Sequence, residues 1–289
     1  MNIRRYKKLK IQERLKFWDE NPIKGDVLVK VPGIEQFKMY CDNDDNVLKN
    51  LVWTKFIGWE YTSLVIWNYL VNTNTGVILD IGSYSGIYSL IAGSQELNYV
   101  FAFDIQSTCI DRVETNAQLN NFNNIQSFNL GLGISTQKVT YFINEEYNYL
   151  SSIAGLTKHK RHNKSCEGLI ENGDEYLNKI LENNRVINIK VDVEGAELEV
   201  LKGLKITIQK HKPNILIEVN DVKKLKEVAA CLPSGYVCLE IDDQKFRVRK
   251  HKMRLQSIFL KIRNYIFVKN EEIAKEICEL NLIPSLPNV

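Results

Sequence analysis

The fold is decided by residues 77–86, which read VILDIGSYSG. The first five are almost wholly apolar, which is typical of a strand buried on both faces of a parallel sheet. Gly82 and Gly86 allow the backbone to turn sharply and to approach a ligand closely, because glycine has no Cβ. A helical pattern then runs from Gly86 to Gln95. The stretch therefore predicts the first strand, turn and helix of an α/β sheet, with a ligand at the turn.

Strands and helices alternate along the chain after this unit. Strands are predicted at Tyr99–Phe103, Ile125–Phe128, Val186–Val191 and Asn214–Ile217, a hairpin-like stretch at Lys138–Ile143, and helices at Ser107–Leu119, Asp174–Glu182 and Ala196–Leu204. Two later runs, Tyr236–Ile241 and Tyr265–Val268, fit a final hairpin of the sheet. This alternation predicts a Rossmann-like α/β fold, in which a mostly parallel sheet carries helices on both faces.

The composition is typical of a globular protein. The chain has 289 residues, of which 44% are hydrophobic and 25% charged, so it can bury a large core. The net charge of +3 is too small to indicate nucleic-acid binding. The six cysteines include no CxxC pair and favour free thiols in a reducing compartment.

Three regions are expected along the chain. Residues 1–72 form an N-terminal extension with a leading helix at Glu60–Val71, residues 73–270 form the ligand-binding domain, and residues 271–289 form a C-terminal helix and tail. No apolar region follows the basic residues 1–10, so no secretory signal is expected. The longest apolar stretch is about half of the ~20 residues that a membrane span needs. We therefore expect a cytoplasmic protein with no transmembrane span.

Four acidic residues stand at the predicted ends of strands. They are Asp80, Asp104, Asp192 and Glu218. The carboxyl ends of parallel strands lie at one edge of a sheet, and ligands of such sheets bind there. We therefore expect all four carboxylates to face one site.

The turn after the first strand favours a cationic ligand over a dinucleotide. It lacks the G-x-G-x-x-G pattern of dinucleotide-binding turns, because no glycine stands two residues after Gly82. Asp80 would repel a pyrophosphate and attract a ligand with an ammonium and a sulfonium group, such as S-adenosylmethionine. Asp104, which lies 24 residues after Asp80, suits the ribose hydroxyls of an adenosine. Both S-adenosylmethionine and NAD carry that adenosine.

A third segment, residues 189–203, reads IKVDVEGAELEVLKG. Together with residues 77–89 and 213–219, it resembles the FkbM family of methyltransferases over about residues 52–220, and more weakly to about residue 268. The resemblance implies a class I methyltransferase fold, S-adenosylmethionine as the methyl donor, and transfer usually to an oxygen. Family acceptors are typically hydroxyls of sugars, polysaccharides or lipid-linked glycans, or of polyketide-type metabolites.

The resemblance also implies roles for individual residues. Asp80, Gly82 and Gly86 match the family's cofactor loop, Asp104 its ribose acid, Asp192, Glu194 and Glu197 its second motif, Glu218 the acid that ends the next strand, and Glu60 the glutamate of an aromatic–glutamate pair. Two departures alter the expected cofactor contacts. Ser83 and Tyr84 stand where the family has a small residue and asparagine, and Asp104-Ile105 replaces glutamate–proline. The expected cofactor-binding residues are therefore Asp80, Gly82, Ser83, Gly86, Asp104, Ile105 and Glu60.

Methyl transfer to a hydroxyl needs an aligned acceptor and a group that takes its proton. The acceptor oxygen must come to about 3–3.5 Å from the methyl carbon, in line with the sulfur. Asp192 is the first candidate for the base, and Glu194 and Glu218 are candidates to share this role, because neighbouring carboxylates raise one another's pKa. The same three carboxylates are also compatible with a divalent metal ion. Glu194 and Glu60 are equally compatible with charges that stabilise a helix start.

Two basic segments bear on partners. Residues 151–164 include Lys158, His159, Lys160, Arg161, His162 and Lys164, which suit either a cover over an acidic small-molecule or glycan acceptor or a solvated loop. Residues 245–254, KFRVRKHKMR, suit peripheral membrane contact or a plain surface. No N-P-P-[YFW] tetrad ends the fourth strand, so a nucleic-acid acceptor is not expected. The sequence carries no signature of a particular oligomeric state.

Two other classes of function remain compatible with the sequence. One is a nicotinamide-dependent oxidoreductase on a Rossmann sheet, against which the charge of Asp80 argues. The other is a degenerate methyltransferase domain that serves as a binding module. Binding of S-adenosylhomocysteine but not NADH separates methyl transfer from the first, and variants of Asp192 separate it from the second.

Overall fold

A sheet of eight strands forms the centre of the computed structural model, which describes residues 3–144, 156, 158, 162–251 and 263–284. In chain order the elements are α1 (Ile3–Lys7), α2 (Ile11–Glu20), β1 (Lys24–Val29), β2 (Phe37–Asp42), α3 (Asn46–Trp53), α4 (Tyr61–Thr73), β3 (Val77–Ile81), α5 (Ile87–Gly93), β4 (Tyr99–Phe103), α6 (Ser107–Leu119), β5 (Ile125–Phe128), β6 (Gly131–Gly133), β7 (Gln137–Ile143), β8 (Lys164–Asn172), α7 (Gly173–Ile180), β9 (Val186–Val191), α8 (Glu197–Gly203), α9 (Lys205–His211), β10 (Asn214–Glu218), α10 (Val222–Cys231), β11 (Val237–Asp242), β12 (Arg247–Lys250), β13 (Asn264–Val268) and α11 (Glu271–Glu279).

The central sheet is mostly parallel. Its strand order is β12-β11-β13-β10-β9-β3-β4-β5. β3 is parallel to β4 and β9, β4 to β5, and β9 to β10, whereas β13 is antiparallel to both of its neighbours. The predicted α/β fold is therefore confirmed, and the predicted final hairpin corresponds to the β11–β13 pair.

Helices cover both faces of this sheet because alternate strand residues point to opposite sides. Ile78 and Val100 belong to an apolar core shared with α4 and α5. Leu79 and Phe101 belong to a second core shared with α8 and α9. Every residue of β3 and β9 is buried, which explains why both strands are mostly apolar in sequence.

Polar side chains of α6 bind the N-terminal hairpin formed by β1 and β2. Asn120 accepts a hydrogen bond from the backbone N–H of Lys38 at 2.7 Å and donates to its carbonyl at 2.8 Å. Asn116 accepts from the backbone N–H of Tyr40 at 2.7 Å. These side-chain bonds to the backbone of β2 add to its pairing with β1. The expected N-terminal extension is thereby attached to the α/β sheet.

A smaller sheet of β6, β8 and β7 follows β5 in the chain. The hairpin-like stretch predicted at Lys138–Ile143 corresponds to β7, which is antiparallel to β8. The predicted basic loop ends where β8 begins, and its residues 151–155, 157 and 159–161 lie outside the described residues. The second predicted basic segment contains β12, and its residues 252–254 also lie outside them.

Three further expectations concern the cysteines, a C-terminal helix and the absence of a membrane span. The six cysteines are free thiols, as expected. The helix expected after residue 270 is α11. Among the helices in the described ranges, none combines the length and the apolar character needed to cross a bilayer.

Replacement of Gly82 by alanine should destabilise the fold more than the same change at Gly25. Both glycines have positive φ angles, +81° and +89°. A Cβ at Gly82 would stand 1.8 Å from the backbone oxygen of Asp192, whereas a Cβ at Gly25 meets nothing within 4 Å. We expect Gly25→Ala to cost about 1–2 kcal/mol of backbone strain, and Gly82→Ala about 3 kcal/mol or more. Urea unfolding of both variants measures the difference, and equal losses would contradict the proposed contact.

Candidate active site

Three of the four predicted strand-end acids lie at one edge of the sheet, directly after or at the ends of parallel strands. Ile81 at the end of β3 is in register with Phe103 of β4 and with Val191 of β9. Asp104 and Asp192 follow these two strands, and Glu218 is the last residue of β10. Asp80 precedes the last residue of β3. The predicted shared edge is therefore confirmed for these three acids, whereas Asp80 lies two residues deeper, level with Ala102 and Lys190, so the expectation that it faces the same site is wrong.

A cavity of about 370 Å³ opens at this edge. Eight of the predicted site residues line it, namely Glu60, Gly82, Ser83, Asp104, Ile105, Asp192, Glu194 and Glu218. Asp80 and Gly86 are not among its lining residues. The volume lies in the range of small-molecule sites. The fold thus brings most of the predicted site residues together around one cavity.

The turn between β3 and α5, residues 82–86, is called the glycine turn and is held against the ends of β4 and β9. The N–H groups of Gly82 and Ser83 both donate to the carbonyl of Phe103, at 2.9 and 3.0 Å. The N–H of Asp192 donates to the carbonyl of Ile81 at 2.9 Å. The absent side chain of Gly82 leaves room for the backbone of Asp192. The turn and the end of β9 therefore form one rigid unit.

Asp80 acts beneath the turn and does not face the cavity. Its side chain is 1% exposed, and its Oδ2 accepts a hydrogen bond from the hydroxyl of Ser89 in α5 at 2.6 Å. Burial raises the pKa of Asp80 to about 6, although the bond from Ser89 and the charge of Lys190 lower it. Asp80 thus joins the strand before the turn to the helix after it.

Asp104 presents a carboxylate that is already oriented by the backbone. Its Oδ2 accepts from the N–H of Tyr84 at 3.0 Å, and its Oδ1 accepts from the N–H of Gln106 at 2.9 Å. Burial raises its pKa to about 6 in spite of these two bonds. Each oxygen keeps a second lone pair. The group can therefore accept two further hydrogen bonds from a pair of ligand hydroxyls.

Asn129 fixes the backbone on the far side of this carboxylate. Its Nδ2 donates to the carbonyls of Asp104 and Ile105, at 3.0 Å each. Ile105 then contributes an apolar part of the cavity wall. An apolar surface beside a carboxylate that can accept from a pair of hydroxyls would suit a purine ring.

A buried lysine lies among the carboxylates of Glu60, Asp192 and Glu218 in the cavity wall. Lys190, in the middle of the parallel sheet, is 1% exposed, and its Nζ is 3.2 Å from Oδ2 of Asp192. Burial alone would lower the pKa of Lys190, but the surrounding carboxylates of Asp192, Glu60 and Glu218 raise it above its usual value. The Nζ also lies 4.9 Å from the centre of the Tyr88 ring. Lys190 is therefore a permanent cation of the site.

Glu60 points into the cavity because another residue caps its helix. It precedes α4 with a left-handed φ of +43° and makes no capping bond. The N–H and the hydroxyl of Ser63 instead donate to Asp243, both at 2.9 Å. The carboxylate of Glu60 accepts from the hydroxyl of Tyr88 at 2.7 Å, and burial raises its pKa to about 7.

Glu218 and Glu194 belong, with Glu60 and Asp192, to an acidic wall of the cavity. The two glutamates lie in different environments. Burial, together with the charges of Asp192 and Glu60, raises the pKa of Glu218 to about 8. Arg263 lies 3.6 Å from its Oε1. Glu194 has an exposed side chain at the mouth of the cavity. Glu218 is thus the inner group and Glu194 the outer one.

The carboxylates fit a charge-compensated cluster better than a metal centre. Oxygen atoms of Glu60, Asp192 and Glu218 lie within 4.8 Å of one another, as metal ligands would. Asp192, however, is paired with the Lys190 ammonium, and Glu60 accepts the Tyr88 hydroxyl. The Lys190 ammonium and the Tyr88 hydroxyl thus already occupy an oxygen of Asp192 and an oxygen of Glu60. A cluster with these internal partners does not require a metal ion.

Several lining residues were not predicted as site residues. Among the polar and aromatic ones are Asn46, Asn50, Trp59, Tyr88 and Lys190. Lys190 had a detectable signal, because a lysine inside an apolar parallel strand must be paired with buried acids. Asn46 and Asn50 of α3 had none, since only the packing of the N-terminal segment brings them to the cavity.

The sheet order, with the antiparallel β13 between β10 and β11, and the glycine turn after β3 define a class I methyltransferase fold. The model of the methyltransferase FkbM domain matches residues 80–270, and the chain belongs to that family. The expected family membership is thereby confirmed.

Individual similar proteins are distant. "Methyltransferase 1" of Beauveria bassiana is 23% identical over 162 residues, which are 50% of this chain and 65% of that protein, so the chain spans less than two thirds of its length. The solved structure of a methyltransferase FkbM from Methylobacillus flagellatus is 17% identical and covers 76% of this chain and 52% of its own, with a TM-score of 0.43. A SAM-dependent methyltransferase from Agrobacterium tumefaciens is 11% identical, with coverages of 86% and 72% and a TM-score of 0.47.

Removal of the Lys190 charge should destabilise the protein in a pH-dependent way. Lys190→Met leaves buried carboxylates without their cation, which we expect to cost about 3 kcal/mol or more at pH 8. The loss should be smaller at pH 5, because carboxyls whose folded pKa is raised become protonated there. The matched control is Lys202→Met, since Lys202 forms an exposed pair with Glu199 at 3.3 Å and should cost less than about 1 kcal/mol. Urea unfolding at both pH values tests this, and a pH-independent loss would argue against the cluster.

Proposed function

We propose that the protein transfers a methyl group from S-adenosylmethionine to a hydroxyl of a sugar, a glycan or a related metabolite. The observation that carries this proposal is one cavity that combines the glycine turn and Asp104 with a carboxylate cluster around Lys190. The first part suits an adenosine and the second suits a cation and a proton. Methyl transfer from a sulfonium to an alcohol requires both.

The residues around the glycine turn fit the proposed cofactor. A Cβ at position 82 would fill the space where the turn approaches the end of β9. The hydroxyl of Ser83 is buried and has no hydrogen-bond partner among the described residues. Asp104 would hold the ribose hydroxyls and Ile105 the adenine. When bound, the cofactor supplies an electrophilic methyl group on a positively charged sulfur.

The carboxylates would orient the acceptor and take its proton. Asp192 is our first candidate for the base, because its pair with the Lys190 ammonium fixes the direction of its carboxylate. The acceptor O–H bond breaks as the O–CH₃ bond forms, and the proton moves to the Asp192 carboxylate. Glu218, whose pKa is raised to about 8, would share this role where it is ionised, and the proton then passes to solvent. Alignment of the acceptor by these fixed groups supplies much of the acceleration.

The charge of the cavity wall favours an uncharged acceptor over the acidic one considered above. The wall carries four carboxylates beside the proposed ribose acid, those of Glu60, Asp192, Glu194 and Glu218. The cations among the described lining residues are Lys190 and Arg263, which lie against Asp192 and Glu218. A phosphate or uronate would meet net negative charge there. A neutral hydroxyl group fits the wall better.

Cofactor binding should depend on the sulfonium charge and on pH. Calorimetry should detect binding of S-adenosylmethionine and S-adenosylhomocysteine but not NADH. As the pH rises from 6 to 9, Glu60 and Glu218 ionise, with pKa values of about 7 and about 8. The affinity ratio of S-adenosylmethionine to S-adenosylhomocysteine should therefore rise at least about threefold, because both share the amino group and differ in the sulfonium. NADH binding would favour an oxidoreductase, and a constant ratio would remove the cluster from the sulfonium site.

Turnover should depend on the two inner carboxylates. With a tritium-labelled methyl donor and a panel of sugar nucleotides and monosaccharides, Asp192→Asn should lower the rate about 100-fold or more, and Glu218→Gln less. Both variants should still bind S-adenosylhomocysteine. Glu199→Gln on the exposed face of α8 is the matched control and should leave the rate unchanged. Full activity in both inner variants would place the base elsewhere, and binding without turnover in the unaltered protein across the panel would favour a binding module.

A further inference from the structure

Two buried polar atoms in the wall of the cavity lack hydrogen-bond partners among the described residues. They are Oδ1 of Asn46 and Oγ of Ser83. The side chain of Ser83 is only 5% exposed. Buried polar atoms in folded proteins are almost always paired, so two unpaired ones beside a cavity indicate that a ligand supplies their partners. The unpaired atoms are an amide acceptor and a hydroxyl that both donates and accepts.

Both atoms belong to the contact between α3 and the glycine turn. The N–H of Asn46 lies 3.3 Å from the hydroxyl of Tyr84, the residue after Ser83. Asp45 caps α3 by accepting from the N–H of Leu48 at 2.9 Å. The first turn of α3 and the glycine turn therefore form one continuous part of the wall.

The position of α3 is set before any ligand binds. Just before the helix, Asp44 accepts hydrogen bonds from Arg112 of α6 at 3.0 and 2.6 Å. Asn116 of the same helix donates to the carbonyl of Ser85 in the glycine turn at 2.8 Å. Helix α6 thus holds both sides of the contact, and Asn46 is preorganised relative to Ser83.

The residues at the adjacent strand ends leave the amino-acid end of the proposed methyl donor without an assigned binding site. Asp104, after β4, would bind the ribose hydroxyls of the donor. Asp192, after β9, would bind the acceptor hydroxyl. The turn after β3 stands between them in the sheet order. The amino-acid end of the donor carries an ammonium that needs acceptors and a carboxylate that needs donors.

We propose that Asn46 and Ser83 bind an α-amino-acid group, with the amide oxygen of Asn46 accepting from its ammonium and the hydroxyl of Ser83 donating to its carboxylate. The group is the methionyl end of the methyl donor, so this inference rests on the proposed function. Asn46 precedes the family-matched residues 80–270. The N-terminal segment is therefore a part of the cofactor site.

The test compares S-adenosylhomocysteine with 5′-methylthioadenosine, which lacks the amino-acid group. Calorimetry on Asn46→Ala and Ser83→Ala should show an affinity for S-adenosylhomocysteine about tenfold lower and an unchanged affinity for 5′-methylthioadenosine. Asn123→Ala, in an exposed position between α6 and β5, is the control and should change neither. Equal losses for both ligands, or no loss for either, would overturn the inference.

A second pair of variants covers the case in which alanine at position 46 loosens α3. Asn46→Asp keeps an acceptor oxygen and should retain S-adenosylhomocysteine binding, whereas Asn46→Leu has a similar size without it and should lose about tenfold. Equal binding by these two variants would overturn the inference. Unaltered protein that binds both ligands equally would overturn it and leave the adenosine site standing. Unaltered protein that binds neither would overturn the proposed function itself.

Discussion

The pairing of the Lys190 ammonium with the carboxylates around it is the interaction on which the site depends. Burial of one lysine in the middle of a sheet is costly unless acids surround it, and buried acids at this density cannot all ionise without a cation. Asp192, Glu60, Glu218 and Asp80 all raise the pKa of Lys190. Because β9 is hydrogen-bonded on both sides, the sheet fixes the direction of this ammonium. The arrangement of the acids follows from it.

This cluster is mechanically joined to the proposed cofactor site. Gly82 lacks the Cβ that would collide with the backbone of Asp192, and the N–H of Asp192 is bonded to the carbonyl of Ile81. The two sequence motifs, separated by about a hundred residues in the chain, are therefore in direct backbone contact. A displacement of one would move the other, so the spacing between an adenosine and the acceptor side is a property of the sheet and not of flexible side chains.

The parts of the fold that could be predicted are those with a local pattern. The bounds of β3, β4 and β9 agree with the prediction, because largely buried strands are mostly apolar in sequence. Helix α3 was not predicted, since its place depends on bonds to α6. Asp80 was expected to face the ligand but lies beneath the turn. Ile81 still follows it in β3, and the side-chain alternation directs Asp80 toward Ser89. Lys190 had a signal in the sequence, a lysine inside a mostly apolar strand, whereas Asn46 became recognisable only through tertiary contacts.

The cap that Asp243 provides for α4 has a consequence for the order of assembly. Ser63 and Asp243 are 180 positions apart, yet their bonds hold the first turn of the helix that Glu60 precedes. During synthesis, the nascent chain therefore has to leave Glu60 without its final orientation until the segment around Asp243 has emerged from the ribosome. Since contacts of such long range form late, the acidic wall should be among the last parts of the molecule to mature.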